Sequence, residues 1–251
     1  MIHFVGAGSG AADLITVRGQ RLLQEADIII YAGSLVNPEL LDYAKKECEI
    51  YNSAKMTLEE VIEVMERGEA EGKMTVRLHT GDPAIFGAHR EQMDELDKLN
   101  IKYDVCPGVS SLFGAAAALK AEYTLPNVSQ SVIVTRMAGR TPVPEKEEIS
   151  LLASHNATMV IFLSVGMVEK LKERLIKGGY KEDTPAAIVY KATWPEERTF
   201  VGTVGTLPQM AKENNITKTA LILVGDFLGN EYERSKLYDP TFTTEFRKAS
   251  K

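Results

Sequence analysis

Residues 1–20, MIHFVGAGSGAADLITVRGQ, join a short apolar run to a glycine-rich turn and a helix-like stretch. Residues 2–5 predict a buried strand, and Gly6, Gly8 and Ala11 complete the spacing G-x-G-x-x-G/A. A dinucleotide-binding turn also needs an acidic side chain about 20 residues later, where it holds the ribose hydroxyls. The next apolar run, residues 26–32, has its only acid, Asp27, near its beginning. The sequence therefore favours a tight turn that needs glycine for steric reasons.

The first half of the chain continues this alternation of strands and helices. Residues 57–67 (TLEEVIEVMER) have apolar side chains at helical spacing, and Thr57 with Glu60 forms a capping box. A small-residue helix is predicted at residues 108–120. Strand-helix alternation predicts a mostly parallel sheet that is covered on both faces. The predicted strands are residues 2–5, 27–31, 49–51, 74–79 and 102–106.

In the second half of the chain, some consecutive predicted strands have no helix between them. The link between residues 186–190 and 199–204 is too short for a crossover helix, so these two strands are expected to pair antiparallel. We predict an α/β protein of two α/β domains, residues 1–119 and 120–251, with mixed sheets and a ligand cleft between the domains. The other strands are predicted at residues 131–136, 158–163 and 220–225, and the helices at residues 145–152, 167–177 and 207–214.

Composition excludes several classes of protein. The chain has 251 residues, of which 44% are hydrophobic, so it can bury sizeable cores. A net charge of -6 argues against broad binding to nucleic acid, and no apolar run is long enough to span a membrane. Cys48 and Cys106 have neither metal-ligand nor redox spacing. We expect a cytoplasmic protein with no bound metal and no nucleic-acid or membrane partner.

Three loops that follow predicted strands have residues suited to ligand binding. In residues 75–92, TVRLHTGDPAIFGAHREQ, Gly81 lets the backbone approach a ligand and Asp82 supplies a carboxylate at the carboxyl edge of the sheet. Residues 107–111 bring hydroxyls and backbone amides to the start of a helix, and residues 191–193 follow a strand in the second half. Taken alone, Asp82 is equally typical of a turn or helix cap.

Together, four motifs resemble the tetrapyrrole methylases. They are VGAGSG at residues 5–10, TGDPAIFG at 80–87, PGVSS at 107–111 and ALILVG at 220–225. The resemblance extends over nearly the whole chain. It implies an enzyme that uses S-adenosyl-L-methionine as methyl donor, releases S-adenosyl-L-homocysteine and forms a homodimer. It also implies that the opening glycine turn does not bind a dinucleotide.

Three longer stretches narrow the resemblance to the precorrin-4 C-11 methyltransferases of cobalamin biosynthesis. They are YAGSLVN at residues 31–37, HTGDPAIFG at 79–87 and TRMAGRTPVP at 135–144. The resemblance implies methyl transfer to C-11 of precorrin-4 or cobalt-precorrin-4, and it is nearer to the cobalt type. Sister methyltransferases acting on uroporphyrinogen III or precorrin-2, and a relative acting on ribosomal RNA, are alternatives, although the last should have a more basic cleft. A non-enzymatic or NAD-binding role is a more distant alternative.

The resemblance also implies which residues contact the methyl donor. They lie in the loops after predicted strands and at the start of the last strand. They are Thr80, Gly81, Asp82, Ile85, Ser110, Ser111, Leu163, Ala192, Thr219 and Ala220.

The tetrapyrrole substrate has acetate and propionate groups, so an acidic protein must concentrate cations where it binds. Guanidinium groups suit carboxylates best, and Arg136 and Arg140 are the first candidates. Weaker candidates are Arg18, Lys191 and Arg198. The sequence has no constellation of residues for nucleophilic catalysis, and the carbon nucleophile belongs to the substrate. The catalytic residues are therefore unknown. His79 and His89 are candidate bases, although a lone histidine is more often structural.

Overall fold

The computed structural model describes residues Met1–Ser250, which divide into two compact units. Unit 1 comprises Met1–Ala115 together with the segment Lys191–Glu197. Unit 2 comprises Ala116–Tyr190 and residues 198–250. Each unit is built on one five-stranded sheet with helices packed against it.

The sheet of unit 1 is parallel in all its pairings, as the alternation of strands and helices predicts. Its strands are β1 (Ile2–Gly6), β2 (Ile28–Tyr31), β3 (Glu49–Asn52), β4 (Thr75–His79) and β5 (Tyr103–Cys106), in the order β3-β2-β4-β1-β5. Every residue of β1 and β4 is buried. The carboxyl ends of the strands lie at one edge, which we call the glycine edge after the turns that follow β1, β4 and β5.

Three helices lie wholly within unit 1: α1 (Val17–Glu25), α2 (Leu58–Ala70) and α3 (Arg90–Lys98). The helix α4 (Ser111–Leu119) begins in unit 1 and continues into unit 2. Two apolar clusters form the core, one containing Val5, Leu23 and Leu78 and the other containing Phe4 and Met65. The predicted capping box at the start of α2 is present, with both of its hydrogen bonds. Because β1 alternates its side chains between the two clusters, the sheet is covered on both faces, as predicted.

The sheet of unit 2 is mixed, as predicted. Its strands are β6 (Val132–Arg136), β7 (Thr158–Phe162), β8 (Pro185–Tyr190), β9 (Arg198–Thr203) and β10 (Ala220–Val224), in the order β6-β7-β10-β8-β9. Only β6 and β7 pair in parallel, and the predicted antiparallel pairing of β8 with β9 is confirmed. Consequently β6, β7 and β8 end, and β9 and β10 begin, at one edge of this sheet. We call it the arginine edge.

The helices of unit 2 are α5 (Ile149–Ala153), α6 (Val168–Gly178) and α7 (Leu207–Glu213). The helix predicted at residues 145–152 is interrupted, because Glu148 has extended backbone and separates a 3-10 turn, Glu145–Glu147, from α5. The Glu148 carboxylate accepts a hydrogen bond from the Ser150 backbone N–H and caps α5. Within Met1–Ser250 no helix has the length and apolar character needed to cross a membrane.

Candidate functional site

The backbones of three glycines, Gly6, Gly81 and Gly108, contact one another at the glycine edge and leave no room for a side chain. We call this contact the glycine crossing. A Cβ atom on Gly6 would lie 2.6 Å from the Gly108 Cα and from the Gly81 carbonyl oxygen. A Cβ atom on Gly108 would lie 2.2 Å from the same oxygen. The turns after β1, β4 and β5 therefore pack backbone against backbone, and only glycine permits this approach.

Three backbone N–H groups of the opening glycine turn are hydrogen-bonded within the protein. The Ala7 N–H donates to the His79 carbonyl at 2.7 Å, and the Gly8 N–H donates to the Gly81 carbonyl at 3.2 Å. The Ala11 N–H donates to the Thr193 hydroxyl at 3.0 Å. Moreover, α1 starts only at Val17, after a 3-10 turn. A dinucleotide turn needs free amides at a helix N-terminus, so this turn is not a dinucleotide cradle.

Asp82 connects two of the three turns. One carboxylate oxygen accepts a hydrogen bond from the Gly108 N–H at 2.8 Å, and the other accepts from the Ala84 N–H at 2.8 Å. The carboxylate therefore fixes the turn after β4 against the turn after β5. Because an ionised carboxylate has about four acceptor positions, both oxygens can still accept from a ligand.

The predicted donor residues of unit 1 come together around this contact. Gly81, in left-handed conformation with φ 60°, adjoins Ser110 and the backbone nitrogen of Ser111. Thr80 and Ile85 are half-buried in the same loop. The backbone N–H groups of Asp82 and Ser110 have no hydrogen-bond partner among the described residues. This part of the glycine edge can bind a ligand through backbone donors.

The segment Lys191–Glu197 contains another predicted donor residue, Ala192, which is buried. Its neighbour Thr193 shares a hydrogen bond with the Ser9 hydroxyl at 3.1 Å and accepts from the Ala11 N–H. The indole of Trp194 lies so near Gly10 that a Cβ atom there would be 2.3 Å from its Cδ1. Ala192 is thus held beside the opening glycine turn.

The remaining predicted donor residues lie at the arginine edge. Leu163 follows β7, and Thr219 precedes β10, which begins at Ala220. Leu163 and Thr219 both have left-handed backbone, with φ 52° and 57°. The Leu163 side chain is 65% exposed. Non-glycine residues in this conformation are strained and concentrate at functional sites.

The two predicted substrate arginines differ in their surroundings. Arg136 ends β6, and its guanidinium donates to the backbone carbonyls of Met137, Thr141 and Pro142. Arg136 therefore organises the loop that contains Arg140. Arg140 is exposed and has no hydrogen bond or ion pair within residues 1–250.

The two candidate bases belong to a cluster of rings in unit 1. His79 is buried and stacks on Phe4 with ring centroids 5.9 Å apart, and His89 contacts its ring edge-on at 5.8 Å. Burial, with contributions from the Arg77 cation and His89, lowers the pKa of His79 to about 3. A buried imidazole with so low a pKa is a poor proton acceptor, so His79 is better explained as a structural side chain.

Comparison with known proteins identifies the family. Residues 1–208 match the model of the tetrapyrrole (corrin/porphyrin) methylases. This chain is a tetrapyrrole methylase. A Methanocaldococcus jannaschii protein named cobalt-precorrin-4 C(11)-methyltransferase is 55% identical over 251 residues, which make up 100% of this chain and 97% of that protein. A Mycobacterium tuberculosis protein named precorrin-4 C(11)-methyltransferase is 43% identical over 239 residues, 94% of this chain and 95% of that protein.

A solved structure supports the same assignment of this tetrapyrrole methylase. The X-ray structure of a cobalamin biosynthetic enzyme, cobalt precorrin-4 methyltransferase, superposes with a TM-score of 0.89 at 46% sequence identity. The superposition covers 91% of this chain and 96% of that one. The predicted two-domain α/β methylase fold is thereby confirmed.

Several residues of this methylase that shape the glycine edge were not predicted from the sequence. Ser9, Thr193 and Trp194 are examples, and buried Asn37, which donates to the Gly10 carbonyl at 2.9 Å, is another. Asn37 precedes Pro38, which begins a 3-10 helix, and this pattern could have predicted that Asn37 caps the helix. It could not have predicted the hydrogen bond from Asn37 to Gly10. No group of three or more potential metal ligands occurs within Met1–Ser250.

Proposed function

We propose that this methylase transfers the methyl group of S-adenosylmethionine to C-11 of cobalt-precorrin-4, giving cobalt-precorrin-5 in cobalamin biosynthesis. The 55% identity to the M. jannaschii protein over the whole chain carries this proposal. The relative named for the metal-free substrate is less similar, at 43%, and this favours the cobalt-containing ring. The three stretches that resemble the C-11 enzymes argue against a sister enzyme acting at another ring carbon.

The proposed donor site uses the backbone of the glycine edge. Gly81, Ser110 and Ser111 would supply close backbone approach and N–H donors for the polar groups of S-adenosylmethionine. Asp82 would accept hydrogen bonds while holding the two turns in place. The free N–H groups of Asp82 and Ser110 support this assignment, and for buried Ser110 the reason is that buried donors need partners. Thr80, Ile85 and Ala192 would form the remainder of the unit 1 surface. Leu163, Thr219 and Ala220 lie in unit 2, and their part in donor binding stays a prediction from the resemblance.

The protein's part in the reaction is mainly to orient the two reactants and exclude water. The donor supplies an activated methyl group on a sulfonium, and a ring carbon of the electron-rich substrate attacks it. The rigid crossing of Gly6, Gly81 and Gly108 fixes the donor-binding surface in advance, so little order is lost on binding. Exposed apolar Leu163 would shield the site from water. No protein nucleophile is required.

The proposed substrate contacts are the cations of the arginine edge. Arg140 is exposed and free to pair with a peripheral carboxylate. The Arg136 guanidinium donates hydrogen bonds to three backbone carbonyls, so Arg136 would hold the loop that contains Arg140. Its remaining N–H groups would face the ligand. We also propose a cytoplasmic homodimer, as the family resemblance implies. Light scattering of the purified protein would give the mass of a dimer or of one chain.

The test of the proposed function is turnover with a labelled methyl donor. Purified protein would be incubated with cobalt-precorrin-4 or metal-free precorrin-4 and with S-adenosylmethionine carrying a ¹³C-methyl group. We expect the cobalt substrate to gain one methyl group by mass spectrometry and the label to appear at C-11 by carbon NMR. A label at another ring carbon would identify a sister enzyme, and no label with either substrate would contradict the proposal.

A further inference from the structure

The arginine edge concentrates positive charge in an acidic protein. Five cations occur at its strand ends and in its loops: Arg136, Arg140, Lys191, Arg198 and Lys218. The loop between β8 and β9 also contains two acids, Glu196 and Glu197. The loops at residues 137–144, 163–167 and 217–219 contain no Asp or Glu. The loops at the opposite edge of the same sheet contain Glu182, Asp183 and Asp226. The net charge of the chain is -6, so the charge at the arginine edge is opposite to that of the protein as a whole.

Arg198 is the cation of this edge that lies over two aromatic rings. It begins β9 and is the register partner of Tyr190, the last residue of β8. Its guanidinium carbon lies 4.9 Å from the centroid of the Tyr190 ring and 5.7 Å from that of Phe200. Two aromatic contacts restrict the rotamers of this exposed side chain before any ligand binds.

The Arg198 guanidinium has no acidic partner in the part of the chain that the structure describes. The two acids that precede it are engaged elsewhere, since Glu196 pairs with Lys191 at 3.2 Å and Glu197 accepts from the Thr193 N–H at 2.6 Å. Within residues 1–250, the Arg198 side chain makes neither an ion pair nor a hydrogen bond. Contact with ring faces leaves its N–H donors available for a planar acceptor such as a carboxylate.

We propose that Arg198 binds a peripheral carboxylate of the tetrapyrrole and is a specificity-determining residue for polycarboxylate substrates. This inference rests on the proposed function for the identity of the substrate. The sequence favours Arg136 and Arg140, but the guanidinium of Arg136 already donates hydrogen bonds to backbone carbonyls of its own loop. Arg198 combines a restrained position with unused donors, which lowers the entropic cost of binding a carboxylate.

The test compares Arg198→Met and Arg198→Lys with the unmodified enzyme. Methionine keeps an apolar stem against the rings without charge, and lysine keeps the charge without the two-pronged donor. Arg174→Met is the matched control, because it removes one exposed arginine of unit 2 that already pairs with Glu148. Equilibrium binding of cobalt-precorrin-4, followed by its absorbance, requires no turnover. Thermal melting would confirm that each variant folds.

We expect Arg198→Met to weaken cobalt-precorrin-4 binding roughly ten- to hundredfold. Arg198→Lys should recover part of the loss, and Arg174→Met should bind as the unmodified enzyme does. In turnover assays, Arg198→Met should raise the KM for cobalt-precorrin-4 and leave kcat and the affinity for S-adenosylhomocysteine nearly unchanged. A purely structural role for Arg198 would not produce this pattern.

Unchanged cobalt-precorrin-4 affinity in Arg198→Met would overturn the inference, as would equal losses for both ligands. The proposed function can fail separately. If the enzyme methylates another ring carbon but Arg198→Met still weakens tetrapyrrole binding, the C-11 assignment is wrong and the role of Arg198 stands. If the unmodified protein binds no cobalt-precorrin-4, both are wrong.

Discussion

The glycine edge and the arginine edge present different chemistry to a ligand. At the glycine edge, Gly6, Gly81 and Gly108 bring three turns into backbone contact, and the available donors are backbone N–H groups. At the arginine edge, the exposed cationic groups are long side chains such as those of Arg140 and Arg198. A backbone surface suits a donor molecule of fixed shape, and a set of guanidinium groups suits a ring with many carboxylates. We therefore expect the polar groups of the methyl donor to be recognised mainly at the glycine edge and the carboxylates of the ring at the arginine edge.

The largest effect is expected from adding a methyl group at the glycine crossing. Gly108→Ala would place a Cβ atom 2.2 Å from the Gly81 carbonyl oxygen, and backbone cannot move aside as a flexible side chain can. We expect a loss of about 3 kcal/mol in the free energy of unfolding and no measurable donor binding. Urea denaturation and calorimetry with S-adenosylhomocysteine would measure the two effects.

Gly72→Ala is the control for this experiment. Gly72 has φ +68°, and a Cβ atom there would have no other atom within 4 Å. Its replacement should therefore cost only about 1 kcal/mol of backbone strain and leave donor binding intact. Equal costs for the two variants would show that the crossing is not tightly packed.

The second effect concerns the buried histidine beneath the glycine edge. The pKa of His79 falls to about 3 in the folded protein, from an ordinary value of 6.5. Between these values the unfolded chain binds more protons, so stability falls as the pH is lowered through this window. The free energy of unfolding should fall by about 2 kcal/mol between pH 7 and pH 5 from this residue alone.

His79→Phe should remove this part of the pH dependence, whereas His155→Phe, at an exposed histidine, should retain it. Urea denaturation of both variants at pH 7 and pH 5 gives the comparison. The same pH slope in His79→Phe as in the unmodified protein would mean that His79 is protonated in the folded state.

The third effect tests the carboxylate between the turns. Asp82→Ala removes the acceptor of the Gly108 and Ala84 N–H groups without disturbing a strand. We expect about a tenfold loss of S-adenosylhomocysteine affinity with the protein still folded, since hydrogen bonds to a charged group contribute about 1.5–3 kcal/mol. Cobalt-precorrin-4 affinity should change little. Asp13→Ala is the exposed control, and unchanged donor affinity in Asp82→Ala would exclude Asp82 from the donor site.

The smallest effect is expected at the hydroxyl beside Ala192. Thr193→Val keeps the shape of the side chain but removes the hydrogen bonds with Ser9 and the Ala11 N–H. We expect roughly a fivefold loss of donor affinity, corresponding to about 1 kcal/mol. Trp194 is the only tryptophan, so its fluorescence reports directly on this segment. Thr199→Val, at an exposed site on β9, is the control, and equal donor affinity in both variants would remove Thr193 from the positioning of Ala192.

The strands and their pairing could be predicted because their signals are local. Alternating apolar runs gave the strands, and the short link between β8 and β9 required antiparallel pairing. The interruption at Glu148 was missed because helical spacing continues through it and only the backbone conformation separates the two parts.

The site was only partly predictable because its decisive contacts are tertiary. The sequence shows the glycines of the opening turn. It does not show that the turns after β4 and β5 occupy the space that a side chain there would need. The sequence also could not show that Arg136 donates to its own loop or that Arg198 lies over two rings. An arginine's partners depend on the fold around it, and no spacing rule encodes them.

The most direct test of the division between the two edges is a crossed binding experiment. Calorimetry would measure S-adenosylhomocysteine and cobalt-precorrin-4 separately on Asp82→Ala and on Arg198→Met. We predict that Asp82→Ala loses affinity for S-adenosylhomocysteine alone and that Arg198→Met loses affinity for cobalt-precorrin-4 alone. Loss of both ligands in either folded variant would contradict separate recognition by the glycine edge and the arginine edge.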